Sequence, residues 1–150
     1  MPRLRWAPCI VQVLRRALDG KGQAVRRAVN AAASLDSGPF RLPGPTGESN
    51  RMIMPPKGPV LCLGPEVETA LAQAAQALAA GCAVLVVAPG AKAAVAQLIK
   101  AGAPVAGIDG IVPPAELAKA EGFVTVAAAG DSAWTRALRQ ALAGRAGRIV

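Results

Sequence analysis

Four short apolar runs alternate with amphipathic segments in this 150-residue chain, and this alternation constrains the fold more than any other feature. The runs, at residues 60–63, 83–87, 105–108 and 124–127, have the length of strands. The segments between and after them predict helices at 66–80, at 91–101, from Pro113 and Pro114 through Lys119, and after a cap at Asp131 or Ser132. Strands that alternate with helices pair in parallel. Residues 59–150 therefore predict an α/β fold, with a Rossmann-like parallel sheet and helices on both faces.

The spacing of apolar residues also predicts which helix faces pack inward. These are Val67, Leu71, Ala74 and Leu78 in the first helix, Val95, Leu98 and Ile99 in the second, and Trp134, Leu138, Ala141 and Leu142 in the last. Gly81 is expected to end the first of these helices. The final residues Arg148-Ile149-Val150 have the pattern of a fifth strand, so we expect the domain to be truncated at its C-terminus.

Residues 1–37 predict a basic helical arm or linker. Its first helix has apolar residues on one face, at Ile10, Val13, Leu14, Ala17 and Leu18, and Gly20-Lys21-Gly22 ends it. A second helix is predicted over 23–33, with an inward face of Ala24, Val25, Ala28, Val29 and Ala32. The outward arginine pairs are typical of a solvated helix face, and the alternative is an acidic partner. Unless the arm docks, its exposed apolar stripe favours self-association or binding to a partner.

Prolines and glycines dominate residues 38–58, which predict an ordered loop. The stretch Leu42-Pro43-Gly44-Pro45-Thr46-Gly47-Glu48-Ser49-Asn50 holds two prolines and two glycines, so it is not the interior of a helix or of a central strand. A short strand is predicted at 51–54, and the loop is expected to pack against the edge of the sheet or against another domain. Gly44 to Glu48 lacks the lysine that an anion-binding loop carries after its second glycine, which favours a structural turn.

Charge and residue counts exclude several classes of protein. Residues 1–57 carry ten Lys/Arg against three Asp/Glu, whereas residues 58–150 carry seven against six, so most of the net charge of +8 lies in the arm and loop. Three widely spaced cysteines and no histidine argue against a zinc site or a disulfide framework, and they fit a cytoplasmic protein. No apolar run has the length of a membrane span, and no secretory signal is evident. With few aromatic residues and no Lys/Arg-rich run, nucleic acid is disfavoured.

The first strand-to-helix turn lacks the features of a nucleotide site. It reads Leu63-Gly64-Pro65-Glu66-Val67-Glu68, with one glycine, a proline that lacks an N–H group, and two carboxylates that repel phosphate. The two glutamates are better explained as first-turn residues that complement the helix dipole. No acidic residue that could bind a ribose follows the second strand. Nucleotide binding by this segment alone is therefore disfavoured.

Catalytic residues are equally hard to assign. There is no histidine to act as a base, and Cys62 and Cys82 lie in or beside apolar strands, where thiols are usually inert. Asp109 lies near the carboxyl end of a strand, where α/β sites are common, but the sequence shows no partner for it and favours a turn role. We therefore assign no catalytic, cofactor-binding or metal-binding residue.

Two motifs carry a resemblance to a known family. The run from Leu42 to Arg51, followed by Pro56-Lys57-Gly58-Pro59-Val60-Leu61-Cys62-Leu63-Gly64, resembles the C-terminal region of proline utilization A. These are bifunctional proline dehydrogenase/L-glutamate gamma-semialdehyde dehydrogenases. The resemblance covers residues 38–150 and is less convincing over residues 1–37.

The resemblance implies a function for the whole polypeptide rather than for this segment. The family oxidises proline to 1-pyrroline-5-carboxylate with FAD, then oxidises the hydrolysed semialdehyde to glutamate with NAD, and passes the intermediate through an internal tunnel. The matching region follows the aldehyde dehydrogenase catalytic domain, is a non-catalytic Rossmann-like relative of it, and is thought to help enclose the tunnel.

The chain departs from the family in what it lacks. It has neither the Gly-Gln-Arg-Cys nucleophile motif nor the proline dehydrogenase barrel with its FAD contacts. We therefore expect an auxiliary fragment that is inactive alone, that carries no cofactor, and that has the remaining domains of such an enzyme as partners. The alternative is a free-standing α/β module that binds a nucleotide or an acidic partner.

Overall fold

In the part of the chain that the structure describes, twelve helices and strands follow one another in the order that the sequence predicts, with one strand added. The computed structural model describes residues 7–36 and 38–146 of the chain. The helices are α1 (Ala7–Ala17), α2 (Gln23–Ala33), α3 (Val67–Ala79), α4 (Ala91–Lys100), α5 (Pro114–Leu117) and α6 (Ser132–Ala143). The strands are β1 (Phe40–Leu42), β2 (Asn50–Met52), β3 (Val60–Leu63), β4 (Val84–Val87), β5 (Val105–Ile108) and β6 (Thr125–Ala128).

The last four strands form a parallel sheet in the order β5-β4-β3-β6. Val60 at the start of β3 lies opposite Val84 of β4 on one side and Thr125 of β6 on the other. The chain thus moves outward from β3 to β5 and then returns to place β6 on the other side of β3. This order confirms the predicted parallel α/β sheet and is compatible with a Rossmann-like fold.

Helices cover both faces of the sheet, as predicted. Side chains on a strand point alternately to its two sides, so each strand can contribute apolar residues to both faces. Val60 and Cys62 of β3 belong to the larger core cluster, together with apolar residues of α3 and α4. Leu61 and Leu63 belong to a second cluster, which includes Leu117 of α5 and residues of α6. All four residues of β3 are therefore buried.

Gly81 ends α3 as predicted. Its φ of 81° is a left-handed conformation that glycine adopts without steric cost. Its N–H donates to the carbonyl of Leu78 at 2.9 Å, and the Cys82 N–H donates to the carbonyl of Ala77 at 3.0 Å. These two bonds satisfy carbonyl groups that the end of a helix otherwise leaves free.

The two N-terminal helices pack onto the rest of the chain. Ile10, Leu14 and Leu18 are buried in the larger core cluster, where α1 contacts α3 and α4. The expected exposed stripe on α1 is therefore not found, and it gives no drive toward self-association. The second helix has the predicted bounds and lies along α3, but its Ala24 is exposed rather than inward.

Residues 38–58 form a hairpin and a connection to β3. Phe40 of β1 pairs with Met52 of β2 in an antiparallel register. The strand predicted at 51–54 is confirmed with its bounds moved to Asn50–Met52, and its partner β1 was not predicted. Every residue from Leu42 to Asn50 is exposed, so this stretch does not pack against the edge of the sheet. The expectation of packing against another domain stays a prediction.

Two helices on the sheet differ from the prediction. Ile99 was expected to face inward but is 50% exposed, whereas Ala91 and Ala94 are buried. These small residues face the sheet because Gly107 of β5 admits a close approach; a Cβ at Gly107 would lie 2.9 Å from the carbonyl oxygen of Ala91. The helix that begins at the prolines stops at Leu117, after which the N–H of Lys119 bonds only three residues back. The predicted strand at Arg148-Ile149-Val150 lies outside the described residues.

The last helix has the predicted start. The Asp131 carboxylate accepts a hydrogen bond from the Trp134 N–H at 2.8 Å, which is the geometry of an N-cap. Leu138 is buried and Trp134 is half-buried. Among the described residues, no helix combines the length and the apolar character that crossing a bilayer requires.

Candidate functional site

Exposed apolar side chains are concentrated on one part of the molecule. Five of the eight large apolar side chains that are exposed among the described residues lie between residues 35 and 54. We call these five the hairpin surface: Leu35, Leu42, Met52, Ile53 and Met54. A cluster of this kind on a monomer marks an interaction site more often than scattered apolar residues do. It is therefore the first candidate for a functional surface.

A groove of about 420 Å³ continues this surface toward the sheet. Its floor is made by Val60, Thr125 and Ala127, where β3 and β6 begin, and one wall is the C-terminal half of α3. The opposite wall comprises Leu35, Asp36 and the connection from Met54 to Lys57. We call it the α3–β6 groove. Because Leu35 and Met54 belong to both features, the groove and the hairpin surface adjoin.

The charges around this region are mixed with a basic excess. Arg41 and Arg51 lie opposite each other on the hairpin, and Lys57 borders the groove. Asp36 lines the groove and Glu48 lies in the hairpin loop. These five charged residues all belong to residues 1–57, whose net charge is +7. This region is suited to an apolar partner with acidic neighbours.

The turn after β3 is tightly packed at Gly64. A Cβ at Gly64 would lie 2.5 Å from the carbonyl oxygen of Glu66 and 2.7 Å from the nitrogen of Ala70, so glycine is needed for α3 to pack against β3. Glu68 does more than complement the dipole of its own helix. Its carboxylate accepts a hydrogen bond from the Ala24 N–H at 2.8 Å and thereby caps α2.

Asp109 has a partner that the sequence analysis did not find. Its carboxylate accepts a hydrogen bond from the Lys92 N–H at 2.9 Å, in the first turn of α4. The two residues meet because β4 and β5 are parallel neighbours, so the loops that follow them are adjacent. Carboxylates of this chain thus lie at the starts of α2, α4 and α6, where a phosphate would otherwise bind. The residues at these helix starts fit a dinucleotide poorly.

The described thiols are poor nucleophiles. Cys62 is fully buried between the sheet and α3, and burial raises its pKa to about 12. Cys82 is buried beside the α3–β6 groove. Within residues 7–36 and 38–146, no three Asp, Glu or Cys side chains come together as metal ligands would.

Comparison with known proteins shows what the chain is similar to. The chain is 43% identical over 110 residues to the bifunctional protein PutA of Escherichia coli strain K12. The matched stretch covers 73% of this chain and 8% of that protein. No protein-family model and no solved structure matches the chain. Identity of this extent shows that the chain is related to PutA over the matched residues.

Proposed function

We propose that this chain is a non-catalytic, C-terminal portion of a PutA-type bifunctional enzyme. The complete enzyme would oxidise proline to 1-pyrroline-5-carboxylate and then to glutamate in the cytoplasm, with FAD and NAD bound by its other domains. The observation that carries the proposal is the identity to PutA over 110 residues. The role of this portion is structural, to pack on the catalytic domains and help enclose the tunnel between their active sites.

The absence of a catalytic role is supported by what the candidate residues do. The thiol of Cys62 is buried with a pKa raised to about 12, so it stays protonated and unreactive at neutral pH. Three carboxylates each accept a hydrogen bond from a backbone N–H in the first turn of a helix: those of Glu68, Asp109 and Asp131. Each of these side chains therefore has a structural role in the fold, which accounts for it without a catalytic one.

The docking role is supported by the hairpin surface. All three residues of β2 are exposed, and one of them, Met52, has a large apolar side chain. Burial of one such side chain on a partner contributes about 1.5–3 kcal/mol before the costs of association. Most of the large exposed apolar side chains among the described residues belong to the hairpin surface, so this is the part that a catalytic domain would cover.

The alternative is a free-standing module that binds a nucleotide or an acidic partner. The basic excess of residues 1–57 favours an acidic partner in either case. The nucleotide form is disfavoured by the carboxylates at three helix starts. The two proposals differ in whether the chain binds to the remaining domains of a PutA-type enzyme.

The test is reconstitution with a deletion variant of the Escherichia coli PutA protein. That protein is prepared without the stretch that matches this chain, and the purified chain is added back. We expect the chain alone to give no dye reduction with proline and no NADH with glutamate semialdehyde. We expect the added chain to bind the deletion variant and to shorten the lag in NADH formation from proline.

A matched control is an Ile53→Ser variant of the chain, which removes an exposed apolar side chain from the hairpin surface. It should bind the deletion variant more weakly than an Ile111→Ser variant, whose substitution lies at an exposed position between β5 and α5. Turnover by the isolated chain would contradict the non-catalytic role. Failure to bind the deletion variant would favour the free-standing module.

A further inference from the structure

We infer that the groove between α1 and α2 binds an acidic segment of a partner protein. This groove has a volume of about 490 Å³, and we call it the α1–α2 groove. The inference rests on the proposed function, because we take the partner to be another domain of the same enzyme. It goes further by naming a second contact surface, which shares no residue with the hairpin surface, and the chemistry that this surface recognises.

The α1–α2 groove combines a buried apolar part with two arginines from different helices. Leu14, Leu18 and Val29 line it and are buried. Arg15 of α1 and Arg26 of α2 also line it, and both are exposed. A planar guanidinium binds a carboxylate through two parallel N–H groups. Two arginines on one groove can therefore hold neighbouring carboxylates of a partner.

The excess of positive charge is local to this part of the chain. Residues 15–27 carry five Lys/Arg, all exposed, against the one carboxylate of Asp19. Glu68 brings a second carboxylate to the start of α2, so the cations still outnumber the carboxylates. Such an excess attracts acidic residues of a partner. A second copy of this chain does not supply them, because residues 58–150 carry seven Lys/Arg against six Asp/Glu.

The helix dipoles account for only part of this excess. Arg15 and Arg16 lie in the last turn of α1, where cations complement the dipole of their own helix. Arg26 is the fourth residue of α2, and the positive end of that helix dipole disfavours a cation there. A partner carboxylate against Arg26 would offset this unfavourable interaction. The position of Arg26 is thus explained by a partner and not by its own helix.

Three observations favour protein carboxylates over the phosphate groups of a nucleic acid. The Ala24 N–H at the start of α2, which a phosphate would use, already donates to Glu68, whose carboxylate lies against Gly22. Asp19 lines the groove and would repel the continuous charge of a phosphate backbone. Residues 7–36 include no aromatic side chain on which a base could stack.

The test titrates a synthetic peptide of alternating glutamate and alanine into the ¹⁵N-labelled chain. We expect the amide signals of Gly20, Gly22 and Asn30, which line the groove, to shift. A chain that carries both Arg15→Gln and Arg26→Gln should bind the peptide about tenfold more weakly, because two exposed charge pairs are lost. An Arg26→Lys variant keeps the charge but not the planar guanidinium, so its affinity should lie between these two.

A matched control separates the groove from the total charge of the chain. It carries Arg136→Gln and Arg139→Gln, which remove the same charge from exposed positions of α6, and it should bind the peptide as the unaltered chain does. All of these variants should keep the melting temperature of the unaltered chain, because the four arginines are exposed. Three outcomes would each overturn the inference: equal affinities for the groove variant and the control, signal shifts confined to other surfaces, or tighter binding of single-stranded DNA than of the peptide.

The PutA deletion variant separates this inference from the proposed function. If that variant binds the chain equally well with and without the Arg15→Gln and Arg26→Gln substitutions, the proposed function stands and the groove inference fails. If the acidic peptide occupies the α1–α2 groove but the deletion variant does not bind the chain, the groove inference stands and the proposed function fails.

Discussion

The hairpin and the parallel sheet are built from strands of similar length but opposite surroundings. All four residues of β3 are buried, whereas all three residues of β2 are exposed. β3 pairs on both sides and is covered by helices on both faces, while β1 and β2 pair with each other. The sheet is thus specified by contacts within the chain, whereas no described residue covers the exposed apolar side chains of the hairpin.

This contrast shows that an apolar residue can be present in the chain for either of two reasons. Val60 and Cys62 are apolar because the fold needs them, as their burial beside α3 shows. Met52 and Ile53 contribute little burial to this chain, although they are as apolar as core residues. Residues of the second kind are best explained by a surface that another domain covers.

The largest expected effect tests whether α1 packs in the core beside the sheet or is an exposed arm, as the hairpin is exposed. Leu14 is fully buried against the larger core cluster. A Leu14→Ala substitution should lower the free energy of unfolding by about 2–5 kcal/mol, the usual range for a cavity left by a core leucine. Urea denaturation followed by circular dichroism measures this change. A loss below about 1 kcal/mol would show that α1 is a detached arm after all.

Much of the sheet could be predicted from the sequence, because strand and helix periods are local. The run at residues 60–63 and the helix that follows are examples, since each buried residue is an apolar one. The prediction that Ile99 faces inward was wrong. Apolar character alone does not show that Gly107 leaves room for the alanines of α4 to face the sheet.

The candidate site could not be predicted in the same way. Glu68 accepts a hydrogen bond from a backbone N–H that lies 44 residues earlier in the chain, and Asp109 from one that lies 17 residues earlier. The α3–β6 groove likewise joins residues from four separate parts of the chain. Contacts of this kind depend on the order of strands in the sheet, which a local pattern does not determine.

A smaller effect tests how closely α3 packs on the sheet. A Gly64→Ala substitution would bring a methyl group against backbone atoms of Glu66 and Ala70, at 2.5 and 2.7 Å. Because backbone cannot move aside easily, we expect a loss of about 1–3 kcal/mol in the free energy of unfolding. Gly144→Ala is the matched control, since the nearest atom to its Cβ lies at 3.6 Å. Equal stabilities for the two variants would contradict the tight turn.

The smallest expected effect tests the hairpin itself. Met52→Ser and Ile53→Ser should each change the free energy of unfolding by less than about 0.5 kcal/mol, because both side chains are largely exposed in this chain. The same two variants should bind the PutA deletion variant more weakly, because there the side chains would lose apolar contact with a partner. Urea denaturation and a binding titration on the same preparations measure the two quantities. A large loss of stability with unchanged binding would mean that the hairpin serves this chain's own core, and the contrast between hairpin and sheet would no longer point to a partner.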